Sequence, residues 1–379
     1  MRIGIDARYA YDHFPGIGRY IVGLLNALCE LEHGHTLVIL YNPDLPNTRH
    51  SLQHLSQFAN VELVRSPVRT FSLQEQTHLP AMLRALKLDV FHSPYYVKPY
   101  VGLPCPSVVT IYDLIGRRFP EVLSWRGRLL FRAATALAIR SAAGILTISE
   151  SACHDIRFSY RVPLSKITVT PLAADKRFRP QPPEAIAAMR ERHRLPESYV
   201  LYLGANKPHK NLERLIRAWD RVCSEGNDHG AVLVVAGHYE PRYPEARELV
   251  AERGLGDRVV FLPNAPEADL PALYSGAICF AFPSYYEGFG LPPLEAMACG
   301  TPVLCAYASS LPEVVGNAAV TVDPFSFIEM AEGLTKLLQN SRLRDHLRAA
   351  GQERARSFSW RRTALGSLRA YEQAVTGSR

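Results

Sequence analysis

Residues 278–306, ICFAFPSYYEGFGLPPLEAMACGTPVLCA, decide the fold. An apolar run, ICFAFPS, is followed by a Gly-Phe-Gly turn and two prolines, then an apolar helical pattern, and a second short apolar run, TPVLCA. Strand, helix and strand in that order make a parallel crossover, and parallel sheets are buried on both faces, so their strands read as continuous apolar runs. Pro292 and Pro293 suit a first helical turn, where a missing N–H has no partner to lose.

Outward from this unit the same alternation fills the chain. RIGID, TLVILY, VELV, VFHS, SVVTIYD, GILTIS and KITVTP read as strands of a first half, and YVLYLGA, AVLVVAG, RVVFLP, ICFAFPS and TPVLCA as strands of a second. A length of 379 residues exceeds the ~250–300 at which one core stops growing. The fold class expected is therefore α/β, with two doubly wound Rossmann-like domains. The prolines and charges of PLAADKRFRPQPPEAIAAM mark the break, giving domains 1–176 and 177–357 and a last helix over 358–379.

Composition narrows the class. At 47% hydrophobic and 21% charged the chain is globular. MRIGIDARYAYDHF carries charges within its apolar residues and lacks the uninterrupted run of a signal peptide, and AATALAIRSAAGILTIS, broken by Arg140, falls short of the ~20 apolar residues of a membrane span. The seven cysteines form no Cys-x-x-Cys pair and no metal-ligand spacing with histidine. A cytoplasmic protein is expected, with no structural metal and no cofactor. The net charge of +7 suits an anionic ligand or an anionic membrane face, and equally an ordinary solvated surface.

Four stretches carry chemistry. PGIGRYIVGLLNAL places Gly16 and Gly18 where a strand opens into a helix, so their amides either meet an anion or form a plain tight turn. VVTIYDLIGRRFPE puts Tyr112 and Asp113 at a strand's end, as crevice groups or with Asp113 capping the next turn. YLGANKPHKNLERLIRAW sets Gly204, Lys207 and Lys210 before a helix start, where a cation is unfavourable unless an anion binds or solvent screens it. SYYEGFGLPPLEAMACGTPV places Glu287 at a strand end and Glu295 in the first turn of a helix, eight positions apart. Two carboxylates so placed can each accept hydrogen bonds from vicinal diols, and the amides of the Gly-Phe-Gly loop can donate to sugar or phosphate oxygens. That combination suits a sugar nucleotide.

The chain at this point resembles the retaining glycosyltransferases of the GT-B fold, specifically glycosyltransferase family four. The resemblance runs through PGIGRY, FHSPYY, TIYDLIGRRFPE, LTISESA, GANKPHKNLERLI, the Glu-x7-Glu block and LPEVVGNAA in the family's order. It implies an acceptor-binding domain over 1–176 and a donor-binding domain over 177–357 facing a central cleft, with the last helix crossing back to the first domain. It also implies that Glu287 contacts the transferred sugar, Glu295 holds the donor ribose, the amides of Phe289, Gly290 and Leu291 meet sugar and phosphate oxygens, and Lys210 and Gly18 meet the diphosphate. Where the family often has arginine, this chain has Ala205, so Lys207 substitutes or fewer charges hold the diphosphate. Tyr112 stands where many members have histidine, and Asp113 and Glu121 follow the pattern. The donor implied is a nucleoside diphosphate sugar of GDP-mannose or UDP-glucose type, a substrate rather than a cofactor. The acceptor implied is a glycan or lipid-linked glycan of bacterial cell-surface polysaccharide synthesis, and no nucleic acid partner is expected.

No Asp-x-Asp occurs to hold a cation between phosphates, so metal-independent transfer is expected. Arg126, Arg128, Arg132 and Arg140 among apolar positions fit either contact with the inner membrane or a helix packed on its own sheet. A sugar-nucleotide epimerase and a non-catalytic sugar-nucleotide-binding protein are the rival readings.

Overall fold

Apolar, largely β-branched runs fold as thirteen strands in the computed structural model, which describes residues 1–47, 51–120 and 123–377. The first seven are β1 (Arg2–Asp6), β2 (Thr36–Tyr41), β3 (Val61–Arg65), β4 (Val90–Ser93), β5 (Ser107–Thr110), β6 (Gly144–Thr147) and β7 (Ile167–Val169). They form one parallel sheet in the order β3-β2-β1-β4-β5-β6-β7. The remaining six are β8 (Tyr199–Leu203), β9 (Val232–Gly237), β10 (Val259–Pro263), β11 (Cys279–Phe282), β12 (Val303–Ala306) and β13 (Val320–Val322). They form a second parallel sheet in the order β10-β9-β8-β11-β12-β13. Both orders reverse beside the first strand of the sheet, where doubly wound folds open their ligand crevices.

Alternation along the second sheet explains its apolar runs. Val200, Tyr202, Leu233, Val235, Cys279, Ala281 and Leu304 pack in one core layer. Tyr199, Leu201, Val234, Ala236, Phe280, Phe282, Val303 and Cys305 pack in the other. Helix Leu212–Ser224 covers the first layer with Leu212, Leu215, Ile216, Trp219 and Val222, an apolar stripe at helical spacing.

The chain divides into two compact units, residues 1–172 with 359–379, and residues 173–358. Helix Trp360–Thr376 belongs to the first unit although it follows the second in sequence. It lies close on helix Pro15–Cys29, because a Cβ at Gly23 would stand 2.4 Å from the Trp360 ring. Its Tyr371 hydroxyl bonds Nδ1 of the buried His92 on β4 at 2.8 Å.

Two sequence expectations change. SVVTIYD is a strand only through Thr110, because Asp113 Oδ1 accepts the Ile115 amide at 2.8 Å and turns the chain. β13 was not expected: its three residues carry too short a pattern to stand out from a loop.

Candidate active site

Two corners at the C-terminal ends of β8 and β11 are stitched together by polar groups. The chain leaves β8, makes the short turn Pro208–Lys210, and reaches Asn211 in the left-handed region at φ 62°. Asparagine tolerates that region, and here its buried Nδ2 donates to the carbonyls of Pro283 at 3.0 Å and Pro324 at 2.7 Å. The His209 carbonyl accepts from Ser284 Oγ and from the Tyr285 amide, each at 3.0 Å. These bonds set Lys210 Nζ 2.6 Å from Glu287 Oε1, with side-chain exposures of 19% and 14%. The ammonium also lies 5.3 Å from the centre of the Phe282 ring. Burial, then Lys210 and Lys207, hold the His209 imidazole down to about 3, so it is neutral beside the pair.

The Gly-Phe-Gly loop is pinned from the opposite side. Ser309 Oγ and Ser310 Oγ donate to the Glu287 carbonyl at 2.8 and 3.0 Å. Gly290 sits at φ 122°, and a Cβ there would stand 2.8 Å from Leu311 Cδ2, so the position requires glycine. Among the described residues, no acceptor meets the amides of Phe289, Gly290 and Leu291. Three donors, a helix N-terminus and a lysine–glutamate pair thus share one sheet edge, which favours an anion joined to a hydroxyl-bearing ligand.

A narrow cleft opens along the same edge, lined by Gly204, Gly237, Tyr239, Arg247, Phe261 and Pro263 among others. Its floor is backbone: a Cβ at Gly237, φ 122°, would stand 2.4 Å from the Gly204 carbonyl oxygen. The Arg247 guanidinium carbon lies 4.3 Å from the Tyr239 ring centre and 4.9 Å from that of Phe261. Neither Lys210 nor Glu287 lines this cleft.

In the first unit the Gly16 amide begins helix Pro15–Cys29 with no acceptor among the described residues. The Gly18 amide already donates to the Phe14 carbonyl at 2.8 Å.

Two family models match the chain, "Glycosyltransferase Family 4" over residues 15–178 and "Glycosyl transferases group 1" over residues 186–354. The chain belongs to glycosyltransferase family 4. O-antigen chain mannosyltransferase B of Escherichia coli is 29% identical, covering 94% of this chain and 96% of that protein. MMP alpha-(1->4)-mannosyltransferase of Mycolicibacterium hassiacum is 28% identical, covering 99% and 98%. Sucrose-phosphate synthase from Thermosynechococcus elongatus has the same fold, with TM-score 0.75 at 22% identity over 100% of both chains.

Within this family 4 glycosyltransferase the structure corrects several expectations. Glu295 is the fifth residue of helix Leu291–Ala298 rather than a first-turn residue, because the helix begins at Leu291, directly after Gly290. It is 1% exposed, and its Oε2 accepts from the buried Tyr274 hydroxyl at 3.1 Å, so it does not open onto the crevice. Gly18 has no free amide to offer a phosphate. Asp113 caps a turn, and the Gly204 amide donates to the Ala236 carbonyl at 2.9 Å as part of the sheet. Lys207 is exposed ahead of the Pro208 turn. The Tyr112 ring packs edge-on to Tyr20 at 5.3 Å, and its enclosed hydroxyl has no hydrogen-bond partner among the described residues. Glu121 lies outside the described residues.

A buried ion network in the first unit has no counterpart in the sequence reading. The Arg8 guanidinium bonds both Asp6 oxygens at 2.8 and 2.7 Å, Glu75 Oε1 at 2.9 Å and the Val68 carbonyl at 2.8 Å. Arg8, Asp6 and Glu75 are fully buried. Burial, more than it is offset by Arg8 and with Asp6 adding to it, pushes Glu75 up to about 7. Arg8 and Glu75 stand 67 positions apart, a spacing that no local pattern marks.

Proposed function

We propose that the chain is a retaining, metal-independent mannosyltransferase, moving mannose from a nucleoside diphosphate donor of GDP-mannose type to a lipid-linked glycan of a bacterial surface polysaccharide. The Lys210–Glu287 pair at 2.6 Å, beside the open amides of Phe289, Gly290 and Leu291, carries this reading. The choice of mannose rests on the mannosyltransferase relatives. Lys210 and the amides stabilise the leaving diphosphate, and Glu287 holds hydroxyls of the sugar as its ring flattens. The acceptor oxygen attacks the anomeric carbon from the face the diphosphate leaves. As the sugar–phosphate bond breaks, a phosphate oxygen takes the acceptor's proton. The cleft at Gly237, Tyr239 and Arg247 receives the base.

No helix among the described residues is long and apolar enough to cross a membrane. Helix Trp125–Ser141 instead turns Phe131, Ala134, Ala138 and Ile139 inward and leaves Trp125, Leu129, Leu130 and Leu137 exposed among Arg126, Arg128, Arg132 and Arg140. Exposed apolar side chains interspersed with arginines fit the headgroup region of an anionic leaflet, where a lipid-linked acceptor resides.

Incubation with labelled GDP- and UDP-sugars in EDTA tests the reading. Transfer or slow hydrolysis of GDP-mannose, with the α-configuration kept by product NMR, is expected. Loss of activity in EDTA restored by magnesium or manganese, or an inverted product, would overturn it.

A further inference from the structure

A cluster of aromatic rings in the first unit lies over the buried ion network, with the Tyr9 hydroxyl 3.5 Å from Glu75 Oε1. Tyr9 is buried, its hydroxyl donating to the Val97 carbonyl at 2.8 Å. Around it stand Phe14, Phe71 and Tyr95, with ring centres 6.0, 6.1 and 5.4 Å from Tyr9. These three are 5.8 to 5.9 Å from one another.

Phe71 is the outermost ring, 48% exposed, and its backbone is left-handed at φ 61°. A bulky residue adopts that region only when its surroundings impose it. The imposition is visible: the Phe71 amide donates to Glu75 Oε2 at 2.7 Å, and the other Glu75 oxygen is held by Arg8. Arg8 also fixes the carbonyl of Val68. A fully buried three-residue network therefore holds an exposed phenyl ring in a strained pose, where folding alone would favour hiding the ring or relaxing the backbone.

We propose that Phe14, Phe71 and Tyr95 form a shelf that stacks a pyranose ring of the acceptor glycan, with Arg8 and Glu75 as positioning residues beneath it. This rests on the transferase reading and names the acceptor subsite within it. A pyranose has an apolar C–H face and a rim of hydroxyls, and the shelf has the matching chemistry. Rings supply the face, while Tyr11 and the exposed His13 border Phe14 at 5.5 and 4.6 Å. The shelf also leads toward the strand-end groups. Tyr95 follows β4 and Asp113 follows β5, and these strands pair in parallel with Ser93 opposite Val109, so both residues leave the same end of neighbouring strands. A sugar on the shelf thus lies near the end of β5. A lipid tail would gain nothing from the polar rim.

Saturation-transfer NMR on the full chain tests this, irradiating aromatic protons in the presence of methyl α-mannoside, α-mannobiose, maltotriose or geranyl phosphate. Wild-type protein is expected to transfer saturation to mannoside C–H protons. Phe71→Gly and Phe14→Ala should each cut that signal at least fivefold, with donor binding by thermal shift unchanged. Phe71→Gly should keep or raise Tm, since glycine removes the backbone strain, an outcome that a merely structural ring would not give. Undiminished mannoside signals in both variants, geranyl phosphate taking the shelf in place of sugar, or no sugar signal from the wild type would each overturn the proposal. Failure of the transferase reading shows separately, as a labelled donor neither transferred nor hydrolysed.

Discussion

Two of the molecule's charge clusters each pair a cation with carboxylate and differ in enclosure. In the second unit Lys210 and Glu287 keep 19% and 14% of their side chains exposed, and open amides stand beside them. In the first unit Arg8, Asp6 and Glu75 are fully enclosed, and every guanidinium contact given above goes to protein. An exposed pair can trade a protein partner for a ligand at modest cost, whereas an enclosed network can only hold its surroundings in place. The first arrangement suits chemistry and the second suits positioning.

Breaking the enclosed network should have the largest effect. Arg8→Met leaves two carboxylates buried around an apolar side chain, and about 3–5 kcal/mol of first-unit stability should be lost. Urea unfolding followed by hydrogen exchange of β1 and β2 amides measures it, and a loss near zero would mean that water or rearrangement reaches the site. Lys210→Ala comes next. It should lower kcat/KM by about 10²–10³, as removal of a preorganised charge at a leaving group does, while leaving Tm within a few degrees. A fall in Tm without a fall in turnover would assign Lys210 to structure and erase the contrast.

Titration sharpens the same comparison. Glu75, held near 7 in the folded protein against an ordinary 4.5, binds its proton more tightly folded than unfolded. Its contribution to stability is therefore full below about pH 4.5 and is lost as pH rises toward about 7, at up to about 1.4 kcal/mol per pH unit. The buried His92 and His209, both held down to about 3 by burial, act oppositely: stability from them grows as pH rises from about 3 to 6.5. The difference between wild type and Glu75→Gln cancels the histidines. Wild-type stability relative to that variant should fall between pH 5 and 7 and level off above, and a flat difference would show Glu75 ionised throughout. The smallest effect belongs to Tyr112→Phe. Removing an enclosed hydroxyl with no partner should raise stability by up to about 1 kcal/mol and leave catalytic efficiency within tenfold. A loss of several orders of magnitude in turnover would place the phenol in proton transfer.

The parallel strands were legible because burial on both faces makes them continuous apolar runs, as in VLVVAG of β9. The Glu287 corner was legible because loop, prolines and carboxylates lie within one short stretch. Glu295 was placed one turn too early in kind, since sequence alone does not say that the helix starts at Leu291 or that Tyr274 draws the carboxylate inward. The sequence left Asp113 as crevice group or turn cap, and its bond to Ile115 favours the cap and ends the strand early. The network of Arg8 and Glu75 and the rings above it were not legible at all. Their partners come from β1, the loop around Phe71 and the start of helix Gln74–Ala85, and only tertiary packing brings these together.

The place of helix Trp360–Thr376 in the first unit has a consequence for synthesis. The second unit is one continuous stretch, residues 173–358, and can fold as soon as it leaves the ribosome. The first unit emerges earlier yet lacks the helix that packs on Gly23 and bonds His92. At ~5–20 residues per second that surface stays uncovered for roughly ten seconds or more of translation. The nascent chain therefore depends on its slowest-arriving segment to shield its earliest one, and a stop codon only twenty residues early would strike the amino-terminal unit rather than the carboxy-terminal one.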